Sequence, residues 1–136
     1  MNRKFYLVAT FNTLKTEKAQ RYHFHVVRWS EAFTALGAEI IVMTRDSQSY
    51  LDEIKELYAA PIRYMVGDGT PLFNGEIENI DVYVKDRKRV KSYMMVFDEE
   101  GLVSLIKRIN DQNIMKLAKS IETYEERKIK KILKKC

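Results

Sequence analysis

The sequence predicts an α/β fold, a three-layer sandwich built on a mainly parallel, Rossmann-like sheet. Short apolar segments typical of buried strands alternate with longer segments of helical periodicity over residues 5–66. Strands joined by a helical crossover of this kind run parallel. The 136 residues suffice for one ordinary core. We therefore expect one α/β domain over residues 1–112 and a C-terminal helix over residues 113–136.

The first predicted strand is the apolar run that begins at Phe5 and breaks at Asn12 and Thr13. Its aromatic and aliphatic side chains suit a strand covered on both faces. A helix from about residue 17 to residue 36 should follow, because apolar side chains recur there at spacings of three and four: Tyr22, Val26, Trp29, Phe33 and Leu36. Gly37 is expected to cap the end of this helix.

The next strand, helix and strand continue the alternation. Residues 38–44 form a continuous apolar segment and predict the second strand. A second helix should begin near Ser49, which forms a capping box with Asp52, and should stop before Pro61. Residues 62–66 predict the third strand, which completes two β-α-β units.

The second half of the domain is predicted to hold two more strands and another helix. The fourth strand covers residues 81–84 and ends at the charged residues 85–87, and the fifth covers residues 92–97. Asp98 should cap a helix whose apolar side chains recur at helical spacing: Leu102, Leu105, Ile106 and Ile109.

The C-terminal segment is the basic part of the chain. From Lys116 onward it carries eight basic and three acidic residues, which accounts for the whole net charge of +5. An apolar stripe at helical spacing, broken once by a lysine, runs through Ile114, Leu117, Ile121, Tyr124, Lys128 and Ile132. We expect an amphipathic helix that packs on the domain or extends from it. Dimerisation through this helix is a further option.

Contact with a nucleic-acid backbone or a partner is an alternative function of this helix, through Lys128, Lys130, Lys131, Lys134 and Lys135. Few aromatic residues interleave with these lysines and no groove-reading motif is present, which argues against sequence-specific readout.

Several classes of protein are disfavoured by composition. The apolar runs are too short to span a bilayer. Cys136 is the single cysteine, so no internal disulfide can form, and we expect a cytoplasmic location.

His23 and His25 flank Phe24, and residues two apart on a helix point to different sides. We expect these histidines at the surface or core edge, without a bound metal.

The strand ends, taken as a set, resemble the haloacid dehalogenase superfamily, and more narrowly its small phosphatases without a large cap domain. Residues 9–14 keep the Asn-Thr-Leu ending of the first motif, and residues 40–45 match the second motif, an apolar strand ending in Thr. Residues 82–87 keep one of the two acids of the fourth motif, as Asp86. The resemblance covers roughly residues 4 to 109 and implies a Rossmann-like fold.

The departures from this family imply the loss of its reaction. The positions of the nucleophilic and acid/base aspartates are Ala9 and Phe11 here, and neither side chain can fill those roles. Only Asp86 is left as a ligand for Mg²⁺, and the phosphate-binding lysine has no counterpart in residues 64–84. We therefore expect no cofactor, with Mg²⁺ needed only for residual phosphatase activity.

The function expected from the resemblance is binding without hydrolysis. A phosphorylated or nucleotide-like ligand, or a protein partner, would occupy a cleft formed by Thr13, Thr44, Arg45, Lys85 and Asp86. The other interpretation of these residues is a solvated rim around a vestigial cleft. An active phosphatase that uses Asp46, Asp68 or Asp86 in unfamiliar roles is a second alternative.

Overall fold

The computed structural model describes residues 5–67, 80–86 and 89–124. The five strands of the main sheet are β1 (Phe5–Thr10), β2 (Ala38–Thr44), β3 (Ile62–Val66), β6 (Met94–Asp98) and β7 (Gly101–Ile106). The helices are α1 (Glu17–Ala35), α2 (Gln48–Tyr58), α3 (Ile80–Val84) and α4 (Asp111–Glu122). A separate small sheet pairs β4 (Lys85–Asp86) with β5 (Arg89–Val90).

The main sheet mixes parallel and antiparallel strands in the order β3-β2-β1-β6-β7. β1, β2 and β3 are parallel, with Leu7 opposite Ile40, whereas β6 runs antiparallel to β1 and β7 antiparallel to β6. The parallel half agrees with the prediction. The expected mainly parallel, Rossmann-like three-layer sandwich is wrong, because the chain returns through a tight turn after β6 instead of another crossover helix.

The two faces of the sheet bury different elements. On one face, α1, α2 and α4 pack through side chains such as Phe33, Leu51 and Leu117 against the sheet. On the other face, Ile80 and Val84 of α3 and Val90 of β5 pack on strand residues that include three methionines, Met43, Met65 and Met95. Alternating side chains of each strand serve the two faces, as a pleated sheet requires.

The first two helices form where the periodicity predicts them. The hydroxyl of Thr16 accepts a hydrogen bond from the amide of Ala19 and caps the start of α1. Gly37 follows its last turn with a φ of +88°, as expected for a glycine at this position. The capping box predicted at Ser49 is wrong, since Ser47 is the N-cap of α2 and accepts from the amide of Tyr50.

Residues 81–84 form part of α3 and not the predicted fourth strand. Ile80 and Val84 lie four residues apart, so a helix places both on one face, and both are buried against the sheet. The segment has a high strand propensity, but burial of this pair outweighs it. Tertiary context commonly overrides strand propensity in this way.

The helix predicted after Asp98 is also wrong, because residues 101–106 form β7. Asp98 accepts hydrogen bonds through Oδ1 from the amides of Glu100 and Gly101, and so closes a turn between β6 and β7. The register shifts between β6 and β7, which leaves Val103 as an extra residue in a β-bulge.

The final helix has the predicted amphipathic pattern, but α4 begins at Asp111 and ends at Glu122 with Thr123 as its C-cap, whereas the predicted helix covers residues 113–136. Asn110 caps α4, and Ile114, Leu117 and Ile121 are buried in the same core as α1. The five lysines proposed as nucleic-acid or partner contacts lie outside the described residues. Within the described part, no helix is long and apolar enough to cross a membrane.

Candidate functional site

The loop that leaves β1 connects three segments at one edge of the sheet. The amide of Phe11 donates to the carbonyl of Met43 at 2.9 Å, and the amide of Arg45 donates to the carbonyl of Asn12 at 3.3 Å. The side-chain oxygen of Asn12 accepts from the amide of Val90 in β5 at 3.3 Å. The ends of β1 and β2 and the small sheet are therefore held together at this loop.

Thr10 adds a second connection between β1 and the segment after β5. Its buried hydroxyl donates to the carbonyl of Lys91 at 2.7 Å and accepts from the amide of Tyr93 at 3.3 Å. The hydroxyl therefore both donates and accepts a hydrogen bond within the protein. Thr10 thus supports the loop and is not open to a ligand.

Asp46 is the buried acid beneath this loop, with 7% of its surface exposed. Its carboxylate accepts from the hydroxyl of Thr13 at 2.6 Å and from the amide of Leu14 at 2.8 Å. The amide of Asp46 in turn donates to the hydroxyl of Thr44 at 3.0 Å. The two threonines expected to bind a ligand are therefore brought together, but their hydroxyls bond the protein itself.

The starts of α1 and α2 both lie at this edge, since the loops before them are hydrogen-bonded to each other. Helix N-termini carry partial positive charge, so the buried carboxylate of Asp46 is favourably placed near them. The ammonium of Lys15 lies 5.0 Å from the ring centroid of Tyr50 on α2. Burial first, and then the charge of Asp46, raise the pKa of Tyr50 above its ordinary value of 10.

Exposed or partly exposed basic residues lie on or next to the segments that Asn12 connects. Arg45 follows β2, Arg89 and the partly exposed Lys91 flank Val90, and Lys85 lies opposite Val90 in the small sheet. We call Lys15, Arg45, Lys85, Arg89 and Lys91 the basic edge. Lys85 belongs to the small sheet and not to an end of the main sheet, and the side chain of Asp86 lies outside the described residues.

The described part of the site offers few groups that could bind a metal or react as a thiol. No group of three or more His, Cys, Asp or Glu residues that could hold a metal is found among the described residues. No cysteine occurs between β1 and α1, and the single cysteine, Cys136, lies outside the described residues. What the edge offers is fixed backbone, internal hydroxyls and a set of exposed cations.

Two polar contacts were missed by the sequence interpretation. His23 is buried, and its Nε2 shares a hydrogen bond of 2.6 Å with the hydroxyl of Tyr64. Burial lowers the pKa of His23 from 6.5 to about 4 and raises the pKa of Tyr64. The expectation of a surface or core-edge position was thus wrong for His23, whose partner lies 41 residues away and leaves no local signal.

The second missed contact joins α1 to the start of α4 through Asp111. Its carboxylate accepts from the indole of Trp29 at 2.9 Å and from Arg28 at 3.4 Å, and it lies 3.0 Å from Nδ1 of His25. The three partners occupy one side of α1 at spacings of three and four, a pattern that could have indicated a shared acidic partner.

No family model matches the sequence, and no curated protein matches it either. Solved structures do match. A peroxidoxin, BcpB, from Mycobacterium tuberculosis superposes with a TM-score of 0.67 at 13% identity, over 88% of this chain and 79% of that one. A reduced 2-Cys peroxiredoxin from Plasmodium vivax gives a TM-score of 0.66 at 14% identity, over 90% and 80%.

A bacterioferritin comigratory protein from Xanthomonas campestris, whose structure is described in terms of alkyl peroxide reduction, also matches. The TM-score is 0.64 at 14% identity, over 89% of this chain and 80% of that one. The chain therefore has the thioredoxin-like fold of peroxiredoxins, with a mixed sheet. At these identities the likeness concerns the fold.

These matches overturn the haloacid dehalogenase resemblance and the functions drawn from it. The matched structures named above have the fold of peroxiredoxins and not that of haloacid dehalogenase phosphatases, so the expectation of a degenerate phosphatase core was wrong. The phosphate- or nucleotide-binding function, the nucleic-acid alternative and the active phosphatase alternative are corrected with it. Motifs such as an apolar strand ending in Thr are shared by unrelated α/β folds, which explains the error.

Proposed function

We propose that this chain does not reduce peroxides and instead uses the peroxiredoxin fold to bind an acidic protein partner. The observation that carries the proposal is the loop between β1 and α1. It contains no cysteine, and its Thr13 hydroxyl is bonded to the buried Asp46. The cytoplasmic location expected from the sequence, and the absence of a cofactor, belong to this proposal.

The first half of the proposal depends on the chemistry of peroxide reduction by thiols. A peroxide oxidises a cysteine thiolate to a sulfenic acid, and such thiolates are stabilised at helix N-termini or beside cations. The start of α1 offers both a helix N-terminus and nearby cations, but residues 11–19 include no thiol. One matched structure is named a 2-Cys peroxiredoxin, whereas this chain has one cysteine.

The second half depends on the charge of the basic edge. Its five cations lie on segments that Asn12 holds together, and Lys15 and Lys91 lie 5.0 and 5.7 Å from the ring centroids of Tyr50 and Tyr93. Of the acids near this edge whose side chains the structure describes, Asp46 is buried and Glu17 is exposed on the first turn of α1. A surface of one dominant sign steers partners of the opposite sign.

A peroxide-consumption assay tests the first half. Hydrogen peroxide and cumene hydroperoxide are each mixed with the protein and dithiothreitol, for the native chain and for Cys136→Ser. We expect both proteins to consume peroxide at the rate of buffer alone. Consumption by the native chain that disappears in Cys136→Ser would show a thiol peroxidase that uses Cys136 and would overturn this half.

A binding titration tests the second half. A fluorescein-labelled oligoglutamate peptide serves as the acidic probe, and the variant Arg45→Glu/Arg89→Glu is compared with Lys55→Glu/Lys116→Glu, which makes the same charge change at exposed positions elsewhere. Affinity should fall several-fold in the first variant and change little in the second. Equal losses in both variants would attribute binding to net charge and remove the basic edge from the proposal.

A further inference from the structure

The first half of α1 carries a shallow surface pocket that shares no residue with the basic edge. Its volume is about 330 Å³, near the lower end of the roughly 300–1,000 Å³ typical of small-molecule sites. A pocket of this size has room for a ligand with one ring and a short substituent. Five residues of α1 and one of α2 line it: Glu17, Gln20, Arg21, Phe24, His25 and Tyr58.

Phe24 is the large apolar side chain of this pocket, and it is 52% exposed. The partly exposed Tyr58 contributes a second aromatic ring. A ligand that covers Phe24 would remove apolar surface from water, and aromatic rings pair favourably in stacked or edge-to-face arrangements. The pocket therefore favours a ligand with an aromatic ring.

His25 is oriented by an acid that lies outside the pocket. Its Nδ1 lies 3.0 Å from the carboxylate of Asp111, which also accepts from the indole of Trp29 at 2.9 Å. The hydrogen bond from Trp29 first, and then that from His25, lower the pKa of Asp111, so this carboxylate is ionised at neutral pH. Nδ1 of His25 therefore carries a proton, and Nε2 has no partner among the described residues.

Arg21 is the cation of the pocket. It is exposed, and within the described part of the chain it forms no ion pair or hydrogen bond. Residues four apart on a helix are neighbours, so Arg21 and His25 can contact the same ligand. The charged and titratable groups on the elements around His25 are Glu17, Arg21 and Arg28 on α1, Tyr58 on α2 and Asp111 on α4.

We propose that this pocket binds a small aromatic carboxylate. The ring of the ligand packs on Phe24, and its carboxylate accepts from the guanidinium of Arg21 and from Nε2 of a protonated His25. A neutral His25 would present the lone pair of Nε2 to the carboxylate, so binding is coupled to the uptake of one proton. The ligand should therefore bind more tightly as falling pH protonates His25.

Two-dimensional NMR of the isotope-labelled protein tests the proposal, with phenylacetate as the probe. We expect a dissociation constant on the order of 1 mM and shifts of the amide signals of residues 20–25. The ring signals of His25 should show a larger protonated fraction at neutral pH when phenylacetate is bound. Those of His23, which is buried, should not change.

Two related compounds separate the contribution of the charge from that of the ring. Phenylacetamide keeps the ring and lacks the charge, so it should bind about five- to tenfold more weakly than phenylacetate. Cyclohexylacetate keeps the charge and lacks the aromatic ring, so it should bind about two- to tenfold more weakly. Equal affinities for phenylacetate and phenylacetamide would overturn the proposal.

Arg21→Gln and His25→Gln should each lower the affinity for phenylacetate about five- to tenfold. Lys18→Gln is the matched control, because it removes a positive charge from an exposed position of α1 outside the pocket, and it should change the affinity little. Far-ultraviolet circular dichroism confirms that each variant is folded. The proposal is overturned if phenylacetate shifts no signal of residues 20–25, leaves the ring of His25 unchanged, or binds Arg21→Gln as tightly as the native chain.

Discussion

Nε2 of His23 on α1 lies 2.6 Å from the hydroxyl of Tyr64 on β3, in a part of the core where His23 is 2% exposed. The ring of Tyr58, at the end of α2, meets the imidazole edge to face at a centroid distance of 4.9 Å. One neutral histidine therefore joins α1, α2 and β3. Both aromatic partners are uncharged, so neither supplies a negative charge that would stabilise a protonated imidazole.

Acid should destabilise the protein through His23. Its pKa is about 4 in the folded chain and 6.5 in the unfolded chain, because burial disfavours the charged ring. The unfolded chain therefore binds more protons between these values, and stability falls as pH falls from 6.5 towards 4. The full loss is about 3 kcal/mol. Urea unfolding across this range measures it.

His23→Gln removes the titrating group and should flatten this part of the pH dependence. His25→Gln is the matched control, since His25 is partly exposed on the same helix. A native slope that survives in His23→Gln would show that another group causes the acid sensitivity.

Replacement of Asp46 by Asn should loosen the loop after β1. The amide side chain offers one oxygen where the carboxylate accepts from both Thr13 and Leu14. A buried donor would then lose its charged acceptor, which should lower the free energy of unfolding by about 1–3 kcal/mol. Asp52→Asn, exposed on α2, should change it by less than about 0.5 kcal/mol. Equal effects of the two variants would contradict the anchoring role of Asp46.

The fluorescence of Trp29 should report the protonation of Asp111. Trp29 is the single tryptophan, and its indole donates to the carboxylate of Asp111. This hydrogen bond first, and then His25 and Arg28, lower the pKa of Asp111 below 3.8. The contact is therefore lost as pH falls through that lowered pKa, and the emission should change with a midpoint below 3.8. Asp111→Asn should abolish the transition, and a transition that persists would assign it to another acid.

Truncation of Leu117 should show that α4 belongs to the main core. Leu117 is fully buried, so Leu117→Ala should cost about 2–5 kcal/mol in a single cooperative unfolding transition. Met115 on the opposite side of α4 is 49% exposed, and Met115→Ala should cost less than about 0.5 kcal/mol. Two separate unfolding transitions would indicate instead that α4 unfolds independently of the sheet.

The parallel half of the fold could be predicted because its signals are local. Helical spacing locates α1, the apolar runs locate β1 and β2, and the short, largely apolar segment after Pro61 locates β3. The same alternation occurs in many α/β folds. What distinguishes this one is the antiparallel pairing of β6 and β7, which depends on contacts between distant residues that periodicity does not report.

β7 shows how a local signal can indicate the wrong structure. Leu102 and Leu105 lie three residues apart, which is a helical spacing and would put them on opposite faces of a regular strand. Both pack on the same face of the sheet, because the bulge at Val103 shifts the alternation by one residue. An irregular strand therefore reproduced the pattern of a helix.

The candidate site was harder to predict than the fold. Thr13 and Thr44 were identified as polar residues at strand ends, and they do lie near each other. Their roles depend on Asp46, whose carboxylate reaches 33 residues back along the chain to Thr13. No spacing rule shows that a hydroxyl is already occupied, so residues that support the loop resembled residues that bind a ligand.

The face of the sheet that α3 and the small sheet cover is lined by Met43, Met65 and Met95. Methionine side chains are unbranched and polarisable, and they refill gaps by changing rotamer more readily than the Phe and Leu side chains of the opposite face. Small displacements of α3 and β5 can therefore be absorbed without leaving voids. The part of the basic edge on both sides of Val90 therefore lies over the more adaptable half of the core, and there the proposed partner would meet a surface that can change its shape.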